Sequence, residues 1–200
     1  MVQALCNHYS TPLLSLPDPT SETQIHTYHP FPPPSVLAAP DVIATLRSLG
    51  FGYRASFIQR TAKILVDAHG VSRLPNDPME ASERWLMALR NKSTADAREE
   101  LLKFVGVGRK VADCVLLMSL DKVCTSISFP KADTIHRGQK EVVPVDTHVH
   151  QIAVKHYGLK GIFNGRKVNV TPTIYEAVNT KLFGVWGDYA GWAHSVCFLI

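Results

Sequence analysis

The chain has 200 residues, 46% of them hydrophobic, and a formal net charge of +4. This is enough apolar sequence for one or two closely packed helical domains, with one compact unit expected, and the mild charge permits a polyanionic partner without requiring one. Four scattered cysteines without a Cys-x-x-Cys pair argue against a disulfide framework, a zinc site or an iron–sulfur cluster, and favour reduced thiols inside the cell. No apolar run approaches the roughly 18 residues that span a bilayer, so no membrane partner is expected.

The N-terminal part, residues 1–34, is predicted to be a short helix followed by a proline-rich loop. Residues 1–9 have the apolar spacing of the second half of an amphipathic helix, with no capping residue before them. Prolines recur through residues 10–34, and because proline fixes φ and lacks a backbone donor, we predict an ordered loop without regular structure. The uncapped start, together with an end inside an apolar helical run, indicates a fragment of a longer protein.

Residues 35–200 are predicted to form a helical region. Ser35 is placed to cap a short helix through Ala39, and Asp41 to cap a second helix that ends at residues 50–52. Apolar residues at helical spacing predict further helices over residues 55–69, 79–90, 94–103, 109–120, 147–157 and 173–183. The aperiodic, polar and basic stretch at about 124–141 is typical of a surface insertion. The predicted fold class is therefore all-α, with short extended pieces.

A glycine turn joins two of these helices into a helical hairpin over about residues 94–120. Gly106 and Gly108 let the backbone turn sharply and approach a partner, and the start of the next helix offers unpaired amide donors and a positive dipole. This pattern predicts a notch that binds phosphate. The alternative is an ordinary turn between helices with a glycine C-cap.

Lys110 and Asp146 are candidates for a catalytic pair. Lys110 lies in the first turn of the helix after Gly108, where the helix dipole and the neighbouring Arg109 both disfavour the ammonium form, and a free amine is a nucleophile. Asp146 follows an extended Val-Val-Pro-Val segment and precedes a helix, so its carboxylate is held where ionisation is favoured and could stabilise positive charge at an anomeric carbon. Taken singly, such a lysine is more often a solvated surface residue, and the aspartate is equally well explained as a plain helix N-cap.

The chain resembles the helix-hairpin-helix DNA glycosylase superfamily and, more closely, the 8-oxoguanine DNA glycosylase family, nearly from end to end. The residues that carry the resemblance are Tyr28–Phe31, Leu49–Ala55, Leu102–Cys114 with the run Lys-Val-Ala-Asp-Cys, Val143–His148 and Trp186–Ala193. The resemblance implies helical glycosylase domains that lack the family's N-terminal β domain.

The resemblance also implies the reaction. It predicts a bifunctional DNA glycosylase/AP lyase of base excision repair that removes 8-oxoguanine opposite cytosine. Lys110 matches the lysine that attacks the anomeric carbon to form a Schiff base, Asp146 matches the aspartate that assists it, and the strand is then nicked by β-elimination. No cofactor is required for this chemistry. The implied partner is damaged double-stranded DNA, and the protein is expected to be a monomer in the nucleus, with the mitochondrion as a second compartment.

Four residues match positions that contact the damaged base. Cys114, Met118 and Phe198 match the lining of the flipped-base pocket, with Phe198 stacking on the oxidised purine. His194 stands where the family typically has a glutamine that reads the Watson–Crick edge of the base. Without the resemblance, core packing is the favoured explanation for Cys114 and Met118 at i, i+4 spacing and for Phe198 in an apolar run.

Six other residues match positions that contact DNA. Tyr53 and Arg54 match residues that insert beside the lesion and form hydrogen bonds with the orphaned cytosine. His148 matches a histidine near a DNA phosphate. Gly106, Val107 and Gly108 match the hairpin that holds phosphate, where the family often binds a structural monovalent cation through backbone carbonyls.

Two alternatives remain open on the sequence. One is a non-catalytic DNA-binding module that keeps the hairpin but cannot process a base. The other is a glycosylase for another damaged base, because the hairpin, the lysine and the aspartate are shared across the superfamily. The absence of a four-cysteine cluster counts against the iron–sulfur branch.

Overall fold

The computed structural model describes residues 1–18, 21–74, 76–120, 142–160 and 169–197, most of them in α-helices. They group into two compact units, whereas the composition led us to expect one. The first is Met1–Ala88 with Phe104–Gly106, and the second is Leu89–Lys103 with Val107–Ile200. The predicted insertion at 124–141 lies outside the described residues. Within the described ranges, no helix has the length and apolar character needed to cross a membrane.

The first unit is built on one long helix. Its helices are α1 (Val2–Tyr9), α2 (Pro34–Leu37), α3 (Val42–Ser48), α4 (Arg54–His69) and α5 (Ala81–Ala88). Leu5, Leu37, Leu46 and Ala62 belong to one buried cluster contributed by the first four of these helices. The C-cap residue of α4 is Gly70, whose φ of 78° lies in the left-handed region that favours glycine.

The prediction that residues 10–34 form a loop without regular structure is wrong over most of residues 14–28. Strands β1 (Leu14–Asp18) and β2 (Ser21–Tyr28) form an antiparallel hairpin in which Pro17 lies opposite Ile25. Every strand of a two-stranded sheet is an edge strand. Proline is tolerated in an edge strand because the backbone N–H that it lacks need not pair with another strand. The register shifts directly after Pro17, where the pairing becomes irregular.

Two predicted helix caps in the first unit are also wrong. α2 starts at Pro34 with Pro33 as its cap residue, while Ser35 donates its backbone N–H at 3.1 Å and its hydroxyl to the carboxylate of Glu80. The Glu80 side chain is only 3% exposed, and a buried carboxylate requires such donors. Asp41 does precede α3, but its side chain accepts no capping hydrogen bond.

Glu80 also ends a short strand that the sequence did not reveal. Strand β3 (Arg73–Leu74) pairs with β4 (Asp77–Glu80), so the helix predicted from residue 79 begins only at Ala81.

The second unit carries the predicted helical hairpin. Its helices are α6 (Thr94–Leu102), α7 (Arg109–Met118), α8 (Thr147–His156), α9 (Pro172–Trp186) and α10 (Ala190–Cys197), with short 3-10 turns at Leu89–Asn91 and Gly187–Tyr189. The hydroxyls of Ser93 and Thr171 cap α6 and α9 by accepting backbone hydrogen bonds. Val143 and Val145 belong to one buried cluster with residues of α8, α9 and α10, so the extended segment before Asp146 is buried among helices.

Candidate active site

The turn between α6 and α7 depends on one of its two glycines. Gly106 has a φ of +79°, and a Cβ at this position would lie 2.4 Å from Cδ2 of Phe57. Gly108 is the N-cap residue of α7, with an extended φ of −89°, and nothing lies within 4 Å of a Cβ built on it. The predicted sharp turn is therefore present, but only Gly106 requires glycine.

We expect Gly106→Ala to destabilise the protein by about 1–3 kcal/mol, because the new methyl group meets the Phe57 ring in a backbone conformation that L-residues rarely adopt. Gly108→Ala is the matched control and should cost about 0.5–1 kcal/mol, because alanine is a poorer N-cap residue than glycine. Urea unfolding of both variants measures the difference. Equal losses of stability would show that the contact with Phe57 does not constrain the turn.

Lys110 and Asp146 are brought together within the second unit. Nζ of Lys110 lies 3.9 Å from Oδ2 of Asp146, and the two side chains are 45% and 29% exposed. Oδ1 of Asp146 accepts the backbone N–H groups of His148 at 2.9 Å and Val149 at 3.0 Å, which confirms the predicted N-cap of α8. One carboxylate oxygen therefore caps the helix, while the other faces the amine.

Cys114 and His194 lie beside this pair. Burial raises the pKa of the half-buried Cys114 thiol, and the charge of Lys110 and a hydrogen bond with its side chain act in the opposite direction. Burial lowers the pKa of His194, and the charge of Lys110 lowers it too, while Asp146 and a hydrogen bond with the Pro144 carbonyl raise it. Two predicted base-contacting residues thus share one neighbourhood with the predicted catalytic pair.

The remaining predicted residues have varied surroundings. Met118 is 63% exposed at the end of α7, which does not fit core packing. His148 is exposed in the first turn of α8, and Val107 is half-buried in the turn. Phe198 lies outside the described residues.

Tyr53 and Arg54 belong to the first unit. Tyr53 is 69% exposed, and the guanidinium of Arg54 lies over its ring, 5.1 Å from the centroid. The Tyr53 ring also meets Phe57 edge-on, with centroids 5.8 Å apart. Packing on Phe57 and Arg54 orients this aromatic side chain at the start of α4 without burying it.

A group of polar residues around Asp113 was not predicted from the sequence. Asp113 is 1% exposed on α7, where it accepts hydrogen bonds from Arg98 and from the hydroxyl of Tyr175. Arg109 lies with its guanidinium 4.2 Å from the Tyr175 ring centroid and forms an ion pair with Glu176. The available signal was an aspartate on the apolar face of α7, because a charged residue on a buried face requires a partner.

Comparison with known proteins places this arrangement in a family. Residues 3–170 match the family model described as "HhH-GPD superfamily base excision DNA repair protein". The chain belongs to the HhH-GPD superfamily. The resemblance inferred from the hairpin and the downstream aspartate is confirmed at this level.

Two curated superfamily relatives are similar in sequence. An N-glycosylase/DNA lyase of Saccharomyces cerevisiae is 34% identical over 184 residues, which cover 86% of this chain and 43% of that protein. An N-glycosylase/DNA lyase of Arabidopsis thaliana is 33% identical over 153 residues, covering 76% of this chain and 33% of its own length. The chain therefore spans less than half the length of these relatives.

Solved structures share the superfamily fold. The apo form of the Clostridium acetobutylicum 8-oxoguanine glycosylase/lyase superposes with a TM-score of 0.61 at 18% identity, covering 98% of this chain and 51% of that one. The same enzyme bound to double-stranded DNA with cytosine opposite 8-oxoguanine gives a TM-score of 0.60 at 18% identity, with coverages of 98% and 50%. These similarities confirm the predicted helical fold class.

His194 should make the stability of this superfamily member depend on pH. Its pKa in the folded state lies below the usual 6.5, so folding opposes its protonation. The stabilisation is complete above the unfolded-state pKa and is lost as the pH falls toward the folded-state pKa, with a slope of at most about 1.4 kcal/mol per pH unit. We expect the free energy of unfolding, measured with urea, to fall less steeply below about pH 6.5 in His194→Gln than in the wild type. Parallel profiles of the two proteins would contradict this assignment.

Proposed function

We propose that this chain carries the catalytic centre of a bifunctional DNA glycosylase/AP lyase that excises 8-oxoguanine opposite cytosine. The observation that carries the proposal is the approach of the Lys110 amine to the Asp146 carboxylate, 3.9 Å apart, next to an exposed glycine hairpin. The superfamily's role in base excision repair, and the lyase names of the curated relatives, support a reaction at an anomeric carbon.

In the proposed reaction, the neutral amine of Lys110 attacks C1′ of the damaged nucleotide. The glycosidic bond breaks, and its electron pair leaves with the base, which takes up the proton that the nitrogen of Lys110 loses on bonding to C1′. Asp146 stabilises the positive charge that develops on the sugar. Opening of the sugar ring gives a Schiff base on Lys110, and loss of a proton from C2′ then expels the 3′ phosphate by β-elimination.

Duplex DNA is the proposed partner. The hairpin residues Gly106, Val107 and Gly108 would offer backbone donors to a phosphate at the start of α7, and the exposed His148 would approach another phosphate. The turn over residues 103–108 has no acidic side chain, so a monovalent cation there would be held by carbonyl oxygens. The exposed Tyr53 and Arg54 would engage the strand opposite the lesion.

The proposed base pocket draws on Cys114, Met118, His194 and Phe198. A flipped base is read by stacking and by hydrogen bonds to its Watson–Crick edge. An imidazole can donate or accept at each nitrogen according to its tautomer, so His194 can replace a side-chain amide as a reader. We further propose that the protein works as a monomer in the nucleus, with the mitochondrion as a second compartment.

Borohydride trapping tests the proposal. The 200-residue chain is mixed with duplexes that contain 8-oxoguanine opposite each of the four bases, with an undamaged duplex and with a duplex that contains a preformed abasic site. We expect a covalent adduct with 8-oxoguanine, strongest opposite cytosine, and none with undamaged DNA. An adduct at the abasic site alone would contradict the assignment of the base. Salt-dependent binding without any adduct would instead indicate a non-catalytic DNA-binding module.

A further inference from the structure

Side chains of α9 hold the extended segment that leads into Asp146. The backbone N–H of Val145 donates to the hydroxyl of Tyr175 at 3.2 Å. The N–H of Val143 donates to Oδ1 of Asn179 at 3.3 Å, and Nδ2 of Asn179 donates to the Val143 carbonyl at 3.1 Å. Tyr175 and Asn179 are four residues apart on one face of the helix. These two side chains form hydrogen bonds with backbone groups of the segment, as a neighbouring strand does in a sheet.

The same tyrosine connects this segment to α7. The Tyr175 hydroxyl donates to Oδ2 of Asp113, whose Oδ1 accepts Nε of Arg98 at 2.7 Å. Burial raises the pKa of Tyr175, and the hydrogen bond to Asp113 raises it further, so the phenol keeps the proton that it donates. Asp113 follows Lys110 by three residues on α7 and is fully enclosed, at 1% exposure. Tyr175 therefore bonds at once to the helix that carries the lysine and to the segment that carries the aspartate.

The catalytic pair cannot set its own geometry. Its two side chains are 45% and 29% exposed, and their charged atoms are 3.9 Å apart. Exposed ion pairs contribute little, because solvent screens them and two side chains lose freedom. The separation of Lys110 from Asp146 must therefore come from the groups that fix their backbones.

We propose that Tyr175 and Asn179 are positioning residues for the reaction, and that they hold Asp146 against Lys110 by fixing its segment to α9 and, through Asp113, to α7. This inference rests on the proposed function, because the separation matters to a reaction only if Lys110 and Asp146 carry it. Neither residue is required to touch DNA. Their effect should appear in the rate of the chemical step and leave DNA affinity unchanged.

Tyr175→Phe removes the connecting hydroxyl and keeps the ring in the core. Tyr157→Phe is the matched control, since Tyr157 lies in the same hydrophobic cluster, edge-on to Trp186. We expect single-turnover excision to slow about tenfold to a hundredfold in Tyr175→Phe, because small displacements of reacting groups cost this much. The control, and the dissociation constant of either variant for a duplex with a non-cleavable abasic analogue, should change less than about twofold.

Crystal structures of the wild type and of Tyr175→Phe give a readout that does not require activity. We expect the distance from Nζ of Lys110 to Oδ2 of Asp146 to exceed about 4 Å, the limit of an ion pair, in the variant. If the wild type forms no adduct, the proposed function fails while this distance still tests the positioning role. Unchanged geometry and rate in Tyr175→Phe would overturn the inference. If that variant does not fold, Asn179→Ala takes its place, with the same expected changes and the same overturning result.

Discussion

Replacement of Lys110 with glutamine is expected to abolish the borohydride-trapped adduct and to lower excision of 8-oxoguanine to below about one thousandth of the wild-type rate. A carboxamide cannot form a Schiff base, so the covalent route is closed and not merely slowed. The Lys110 side chain is 45% exposed, and glutamine has a similar helix propensity, so α7 should remain intact. Trapping on a duplex with 8-oxoguanine opposite cytosine measures the adduct, and circular dichroism checks the fold.

Lys63→Gln is the matched control for this change. Lys63 is an exposed lysine on α4 that pairs with Asp67 at 3.2 Å, and loss of such a surface pair should alter the rate by less than about twofold. Adducts of equal yield in Lys110→Gln and the wild type would assign the nucleophile to another amine. Equal losses in Lys110→Gln and Lys63→Gln would indicate that general positive charge matters, and not one amine.

Asp146→Asn is expected to slow excision by about 10²–10³-fold while leaving the protein folded. Asparagine caps helix N-termini about as well as aspartate, so the hydrogen bonds from the N–H groups of His148 and Val149 should survive. What the variant lacks is the negative charge that faces Lys110. The single-turnover rate constant should therefore fall steeply, while the midpoint of thermal unfolding shifts by a few degrees at most.

Asp146→Ala separates the two roles of this residue. Alanine removes both the charge and the cap. Asp146→Ala should therefore slow excision as much as Asp146→Asn does, and should also lower the free energy of unfolding by about 1 kcal/mol. If Asp146→Asn reacts at the wild-type rate, Asp146 serves only as a cap. If both variants lose stability equally and keep their rates, the carboxylate has no part in the reaction.

The features that the sequence predicted correctly depend on residues that are close together in the chain. The cap at Asp146 requires a carboxylate directly before a helix, and the turn at Gly106 requires a residue without a side chain at positive φ. The start of α7 at Arg109 follows from the same turn. Because each depends on a few neighbouring residues, their placement survives in the folded chain.

The features that the sequence could not reveal depend on distant partners. Tyr175 lies 62 positions from Asp113, and periodicity on α9 shows only that it faces the core. Ser35 was expected to cap a helix, yet it serves Glu80, 45 positions away. Even the nearer pairing of Pro17 with Ile25, eight positions along the chain in one hairpin, overrode the tendency of proline to avoid strands. In each case a contact with another part of the chain overrode a local preference.

Anchoring of the segment before Asp146 by α9 has a consequence for protein engineering. The aspartate takes its position from bonds at Val143 and Val145, and not from the length of chain that connects it to α7. A protein engineer who alters the chain ahead of Val142 should therefore find Asp146 in the same place for as long as the bonds at Val143 and Val145 are kept.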